Sequence, residues 1–338
     1  MKYKQLGNSG LVVSELAFGT MTFGAGDFYG LKFTIDQSTA NRMISKCIES
    51  GINLFDTADM YCNGVSEEIL GKSLGSKRKE ILIATKVGFR AGTPTFKAGI
   101  NRKHIIESVE ASLKRLNTDF IDVYILHIDD PITPIEETLD ALNDLVASGK
   151  IRYGGFSNFQ TYKAVVMHEK QIANKKRPLA ASQMHYSLLN REIEYEFVPF
   201  LNYTKTGLMV WSPLSSGFLS GKYTHQNPKP DGARLNDFDI MNVDRELGYK
   251  VVDLLKEIAS IHNASPSQIA IAWLLSKSYV TTVIIGASKE SQLDDNLKSV
   301  EIGLTNDEIQ KLDELTKPKP LYPNSFQSML DPILSQSL

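Results

Sequence analysis

The feature that most constrains this chain is a repeated pattern. A short apolar or β-branched run is followed by an amphipathic stretch, eight times over. The runs fall at 15–18, 53–56, 81–86, 120–127, 152–157, 180–184, 208–212 and 282–286. Alternating parallel strands and helices either close into a barrel or lie as an open doubly wound sheet. Eight units favour closure, so the expected fold is α/β, a (β/α)8 TIM barrel, and 338 residues suit a single domain of that kind. Helix boundaries are written in the same terms. In 36–50, Ala40, Met43, Ile44 and Cys47 share one face at three- and four-residue spacing, and Gly51 ends the run. Asn101 opens a helix that ends near Arg115. In Thr133-Pro134-Ile135-Glu136, a polar cap, a first-position proline and first-turn acids open another, which Gly149 closes.

Three departures from the repeat are expected to be additions to one domain spanning 1–338. Residues 1–14, with Gly7-Asn8-Ser9-Gly10 between two short apolar runs, read as a β-hairpin plugging the bottom of the barrel. Residues 213–243 form a long loop rich in Gly, Pro, Asn and Asp after the seventh strand. Two extra helical patterns, 289–299 and 305–315, follow the eighth strand and lead into a C-terminal tail, 316–338.

Charge and cysteine content narrow the partners. Lys and Arg number 37 against 39 Asp and Glu, so no overall positive field favours nucleic acid or an anionic membrane. No run approaches the roughly 18 apolar residues of a membrane span, and the N-terminus lacks a signal peptide's apolar region. A cytoplasmic protein is expected. The two cysteines, Cys47 and Cys62, are not at disulfide-framework or metal-ligand spacing, and no metal is expected. Cys62 reads as an ordinary loop cysteine, with a redox role as the alternative.

Active sites of such barrels lie at the carboxyl ends of the strands. The second run ends in Asp56, with Tyr61 close behind in Asp-Thr-Ala-Asp-Met-Tyr; the third ends in Lys86 and the fourth in His127. Any one of these alone is more often a cap or a solvated residue; at three successive strand ends they point to one mouth. Carbonyl reduction needs hydride at carbon and a proton for the developing alkoxide. A phenol with an ordinary pKa of about 10 needs tuning for that task, and a Lys86 ammonium held by Asp56 is placed to supply it. His127 would hydrogen-bond the carbonyl oxygen. The later strands offer a cofactor grip. Ser157, Asn158 and Gln183 can hold a carboxamide, Trp211 can stack on a flat ring, and the amides of Ser212, Pro213, Leu214, Ser215, Ser216 and Gly217 border a pyrophosphate site. Gly286, Ser288 and Lys289 enter a helix N-terminus suited to anions. Gly19-Thr20-Met21-Thr22-Phe23-Gly24 fails the G-x-G-x-x-G pattern, which argues against a Rossmann fold.

These residues closely resemble the aldo-keto reductase superfamily. The likeness runs from Lys4-Gln5-Leu6-Gly7 to about Leu315. It is carried by Phe55-Asp56-Thr57-Ala58 with Tyr61 and Ser66-Glu67, Ala84-Thr85-Lys86, Leu126-His127, Gly155-Phe156-Ser157-Asn158, and Gly286-Ala287-Ser288-Lys289 with Gln292 and Asn296. The resemblance implies NADPH-dependent reduction of aldehydes and ketones, with Asp56, Tyr61, Lys86 and His127 as the catalytic set. It implies cofactor contacts by Thr20, Met21, Asp56, Ser157, Asn158, Gln183, Trp211, Ser212 to Gly217, Lys222, Arg234, Gly286, Ser288, Lys289, Gln292 and Asn296. Where many relatives carry arginine this chain has Lys289, which lacks the planar fork that grips a 2′-phosphate, so NADH stays open beside NADPH. Cys62 replaces a common glycine.

Three other readings compete. Potassium-channel β subunits resemble the same family and imply a cofactor-binding regulatory module, although they commonly lack the active-site histidine retained here as His127. A Schiff-base aldolase would need a low-pKa Lys86, which Asp56 opposes. A glycosidase pair from Asp129 and Asp130 is too close in sequence to flank a substrate. The substrate is expected to be a small carbonyl compound in a pocket lined by Tyr61, His127, Trp211, Met21, Phe23, Phe28 and the long loops. Oligomeric state is not legible.

Overall fold

A computed structural model describes residues 1–28, 31–89, 98–231, 233–236 and 243–327. The expected hairpin is present: β1 (Tyr3–Gln5) pairs antiparallel with β2 (Val12–Ser14). Eight parallel strands then close on themselves. They are β3 (Leu16–Gly19), β6 (Leu54–Asp56), β7 (Leu82–Val87), β8 (Ile121–Leu126), β9 (Ile151–Ser157), β10 (Ala181–His185), β11 (Gly207–Trp211) and β12 (Val280–Ile285), with β12 pairing back onto β3. Each expected run lies within two residues of the strand observed. A second antiparallel pair, β4 (Gly26–Phe28) and β5 (Leu31–Phe33), interrupts the loop after β3 and has no counterpart in the sequence reading. The Phe28 side chain lies outside the described residues, as do residues 237–242 of the long loop and 328–338 of the tail.

Two apolar layers hold the fold. The outer one lies between strands and helices, where α1 (Gln37–Glu49) buries Ala40, Met43, Ile44 and Cys47. Burying Met43 and Ile44 is worth about 1.5–3 kcal/mol each, against about 1 kcal/mol for the Asp36 cap on Thr39, so packing outweighs capping here. The inner layer fills the barrel: Ala17, Leu54, Ala84, Val123, Ile125, Ala181, Met209 and Ile284, closed below by Leu6 and Val13 of the hairpin. Gly7 makes that closure possible. Its φ is +58°, and a Cβ there would stand 2.5 Å from the Ala180 carbonyl oxygen and 2.6 Å from the Gly207 nitrogen.

The helix signals are met with one correction. Asn101 caps α3 (Arg102–Leu116), and capping boxes open α8 (Pro266–Ser276) at Ser265 and α10 (Asn306–Leu315) at Thr305. For α4 (Ile135–Ala147), however, Pro134 itself is the cap residue and no side chain caps the end. The Thr133 hydroxyl is spent on Asp130 Oδ2 instead, at 2.6 Å. After β11, α7 (Arg245–His262) and α8 together fill the outer ring. After β12 come α9 (Glu290–Leu297) and α10, as expected.

Candidate active site

Asp56 ends β6 in register with Ala84 of β7. Beyond it the chain turns over the end of β7, with Thr57 N donating to Ala84 O and Asp59 N to Lys86 O; the Tyr61 amide then closes a turn on Ala58 O. His127 follows β8 directly, its amide extending the ladder to Val87 O. The ladder thus sets the four ionisable residues around one mouth.

Lys86 is fully enclosed, and its ammonium donates to Asp56 Oδ2 at 2.6 Å, Thr57 O at 2.7 Å and Tyr61 Oη at 3.3 Å. An ammonium has three donors and no acceptor. All three are used, so the Tyr61 oxygen accepts from Lys86 and its own proton is directed elsewhere. The other Asp56 oxygen receives Gln183 Nε2 at 2.7 Å, reaching across the barrel from β10. Burial works to lower the Lys86 pKa, but Asp56 and Tyr61 together outweigh it and the net direction is up. That direction runs against the neutral amine a Schiff-base role needs. Asp129 is paired with Lys163, and Asp130 ties down Ile100, Ile132 and Thr133, so neither is a free glycosidase carboxyl.

Tyr61 corrects one sequence-based expectation. Burial pushes its pKa above the usual value, and the pull of Lys86 only moderates that rise, so the phenol stays protonated at neutral pH. His127 is driven well below its usual pKa by burial and then by Lys86, and is neutral. Its ring meets Tyr61 edge to face at 5.9 Å and Phe89 at 4.7 Å, and its Nδ1 is buried without a partner.

Opposite, Trp211 stacks on His185 at 4.6 Å and 23°, and its Nε1 donates to Asn158 Oδ1 at 3.2 Å. Asn158 also donates to His127 O at 3.0 Å and to Ser157 Oγ, so its amide links the two sides. Thr20 is wholly buried on Ser66 Oγ and Asp56 O, and Ser215 on Ser187 Oγ; what these two can offer a ligand is main chain. After Trp211, Ser212, Ser215, Ser216 and Gly217 all adopt positive φ. Such runs turn successive N–H groups into an anion-binding concavity. Lys222 lies against Gly217, and its pKa is lowered by burial first, then by Arg234 and Lys289. Arg234 also reaches Met21 Sδ at 3.7 Å. Lys289 is the cap residue of α9, and no side chain caps that end. Ser288 N and Oγ both donate to Gln292 Oε1, and Asn296 Nδ2 donates to Gly286 O. Clustered cations, an uncapped helix N-terminus and left-handed serines fit a phosphate-bearing dinucleotide. Phe89, His185 and the buried Asp59 were not singled out by sequence. Each matters through a contact with a residue distant along the chain, which periodicity does not register.

The fold and the mouth define a class of barrel oxidoreductase, and comparison with known proteins agrees. The model of the Aldo/keto reductase family matches residues 15–317, and the chain belongs to that family. Among similar proteins, a probable voltage-gated potassium channel subunit beta of Oryza sativa subsp. japonica is 36% identical over 97% of this chain and 100% of its own length. Versiconal hemiacetal acetate reductase of Aspergillus parasiticus is 32% identical over 96% of this chain and 99% of its own. A putative aryl-alcohol dehydrogenase of Schizosaccharomyces pombe is 33% identical over 94% and 97%. Among the described residues no helix is long and apolar enough to cross a membrane, and no cluster of side chains forms a metal site.

Proposed function

We propose that this chain reduces aldehydes or ketones to alcohols with NADPH, Tyr61 giving the proton. The observation that carries the reading is the saturated Lys86 ammonium, which fixes the phenol oxygen as an acceptor and turns its proton toward the mouth. Nicotinamide, when bound, would supply the hydride for the carbonyl carbon. Tyr61 protonates the developing alkoxide, and Lys86 stabilises the phenolate left behind; Asp56 keeps Lys86 charged. Neutral His127 donates a hydrogen bond to the substrate oxygen. Trp211 and Gln183 orient the nicotinamide, and Lys222, Arg234, Lys289 and the α9 N-terminus hold the phosphates. Oxidation of NADPH against a panel of aldehydes, ketones and dicarbonyls, run beside NADH, tests this; no turnover of any member would overturn it.

A second reading is favoured by the relatives named as channel subunits: a cofactor-binding subunit of a larger assembly. Tight NADPH binding without turnover across the panel would select it.

A further inference from the structure

The turn that carries Tyr61 encloses an acid the mechanism above does not use. Asp59 is 5% exposed, and neither carboxyl oxygen has a well-formed hydrogen bond, although the neighbouring Met60 amide leans toward the carboxyl. Its backbone is well held, since Asp59 N donates to Lys86 O at 3.2 Å. The groups around its side chain are Glu67 from α2 (Val65–Leu74), Arg115 from α3, Lys86 from β7 and Tyr124 from β8. Arg115 is already committed, its guanidinium 2.6 Å from Glu67 Oε2, and Glu67 Oε1 takes the Thr85 hydroxyl. A second carboxylate in this space has no cation of its own. Leaving a neutral acid without a full hydrogen bond costs far less than burying an unpaired charge. The proton therefore stays on Asp59 at neutral pH: burial first, then Glu67, raise its pKa to about 8.

We propose that Asp59 is a positioning residue for Tyr61, whose uncharged carboxyl lets residues 57–61 lie closed over Lys86 and whose ionisation lifts that turn from β7. The proposal rests on Tyr61 being the proton donor only for its kinetic consequence; the movement of the turn is independent of it. The phenol's own ionisation lies above 10, so the two events are separable on the pH axis.

The test compares the full-length protein with Asp59→Asn, of nearly equal shape and without the titration, and with Asp59→Val should the amide disturb folding. With an aldehyde from the panel and saturating NADPH, kcat of the native protein should fall about tenfold between pH 7 and 9 while KM changes little, and the fall should be absent in the variant. Amide hydrogen exchange at residues 57–61, corrected for its intrinsic pH dependence, should show protection lost over the same range in the native protein only. An identical alkaline limb in both proteins, or unchanged protection across pH 8, would overturn the proposal. The exchange measurement needs no turnover, so a chain that reduces nothing on the panel refutes the reductase reading while still deciding the role of Asp59.

Discussion

The two sides of the barrel mouth are built on different terms. On the β6–β8 side, Asp56, Lys86 and Tyr61 sit in a buried, mutually bonded array whose geometry is complete before anything binds. On the β11–β12 side, the chain holds three serines in left-handed conformations, brings like-charged side chains together and leaves the α9 N-terminus without a side-chain cap. Non-glycine residues in that region of φ/ψ space cost on the order of 1 kcal/mol each. On the proposed reading, the groups for the reaction are thus prebuilt, while the recognition side is held in an unrelaxed state that a bound anion would relieve.

The sharpest way to break the comparison is Tyr61→Phe, which removes the acid and touches nothing on the other side. It should lower kcat by about 10²–10⁴-fold with cofactor affinity intact, measured by steady-state rates and fluorescence titration; near-native rates would dismiss the phenol as donor. Lys86→Met should cost stability instead, about 3–5 kcal/mol by urea unfolding, because the buried Asp56 carboxylate loses its cation. Asp56→Asn in the same background should restore part of that loss. On the recognition side the effects should be smaller and selective. Lys289→Ala is expected to weaken NADPH by about tenfold and NADH hardly at all; equal losses would show that Lys289 does not read the 2′-phosphate.

The smallest effect is in acid. His127 lies well below its ordinary pKa and His185 falls to about 4, both chiefly through burial. In each case the unfolded chain binds a proton that the folded one refuses. Stability is therefore full above about pH 6.5 and declines as pH drops toward 4. His185→Phe, which keeps a ring against Trp211, should make Tm less sensitive to pH over that window; an unaltered slope would mean that the histidine titrates freely.

The barrel was legible because a parallel strand followed by its covering helix imposes two periods in alternation, and every such run appears within two residues of its place. Asp56, Lys86 and His127 were legible as strand ends. What escaped detection has no periodic signature. The β4–β5 pair is two strands of only three residues each, and the Thr133 hydroxyl was claimed by Asp130, which a local capping rule does not anticipate. The direction of the Tyr61 shift was misjudged because sequence shows the neighbouring cation but not the depth of burial. Arg115 is 48 residues along the chain from Glu67, whose carboxylate it holds, and nothing local in the sequence joins the two.

The hairpin that seals the barrel floor has a consequence for how the chain comes into being. Gly7 lies against Ala180 and Gly207, and Leu16 waits for Val283 to close the ring. At roughly 5–20 residues per second of synthesis, the 200 residues between Gly7 and Gly207 take about 10–40 s to emerge. During that interval Leu6 and Val13 have no interior to enter. The piece that finishes the molecule leaves the ribosome well before the strands it seals, and the newborn chain must keep it from other partners until they arrive.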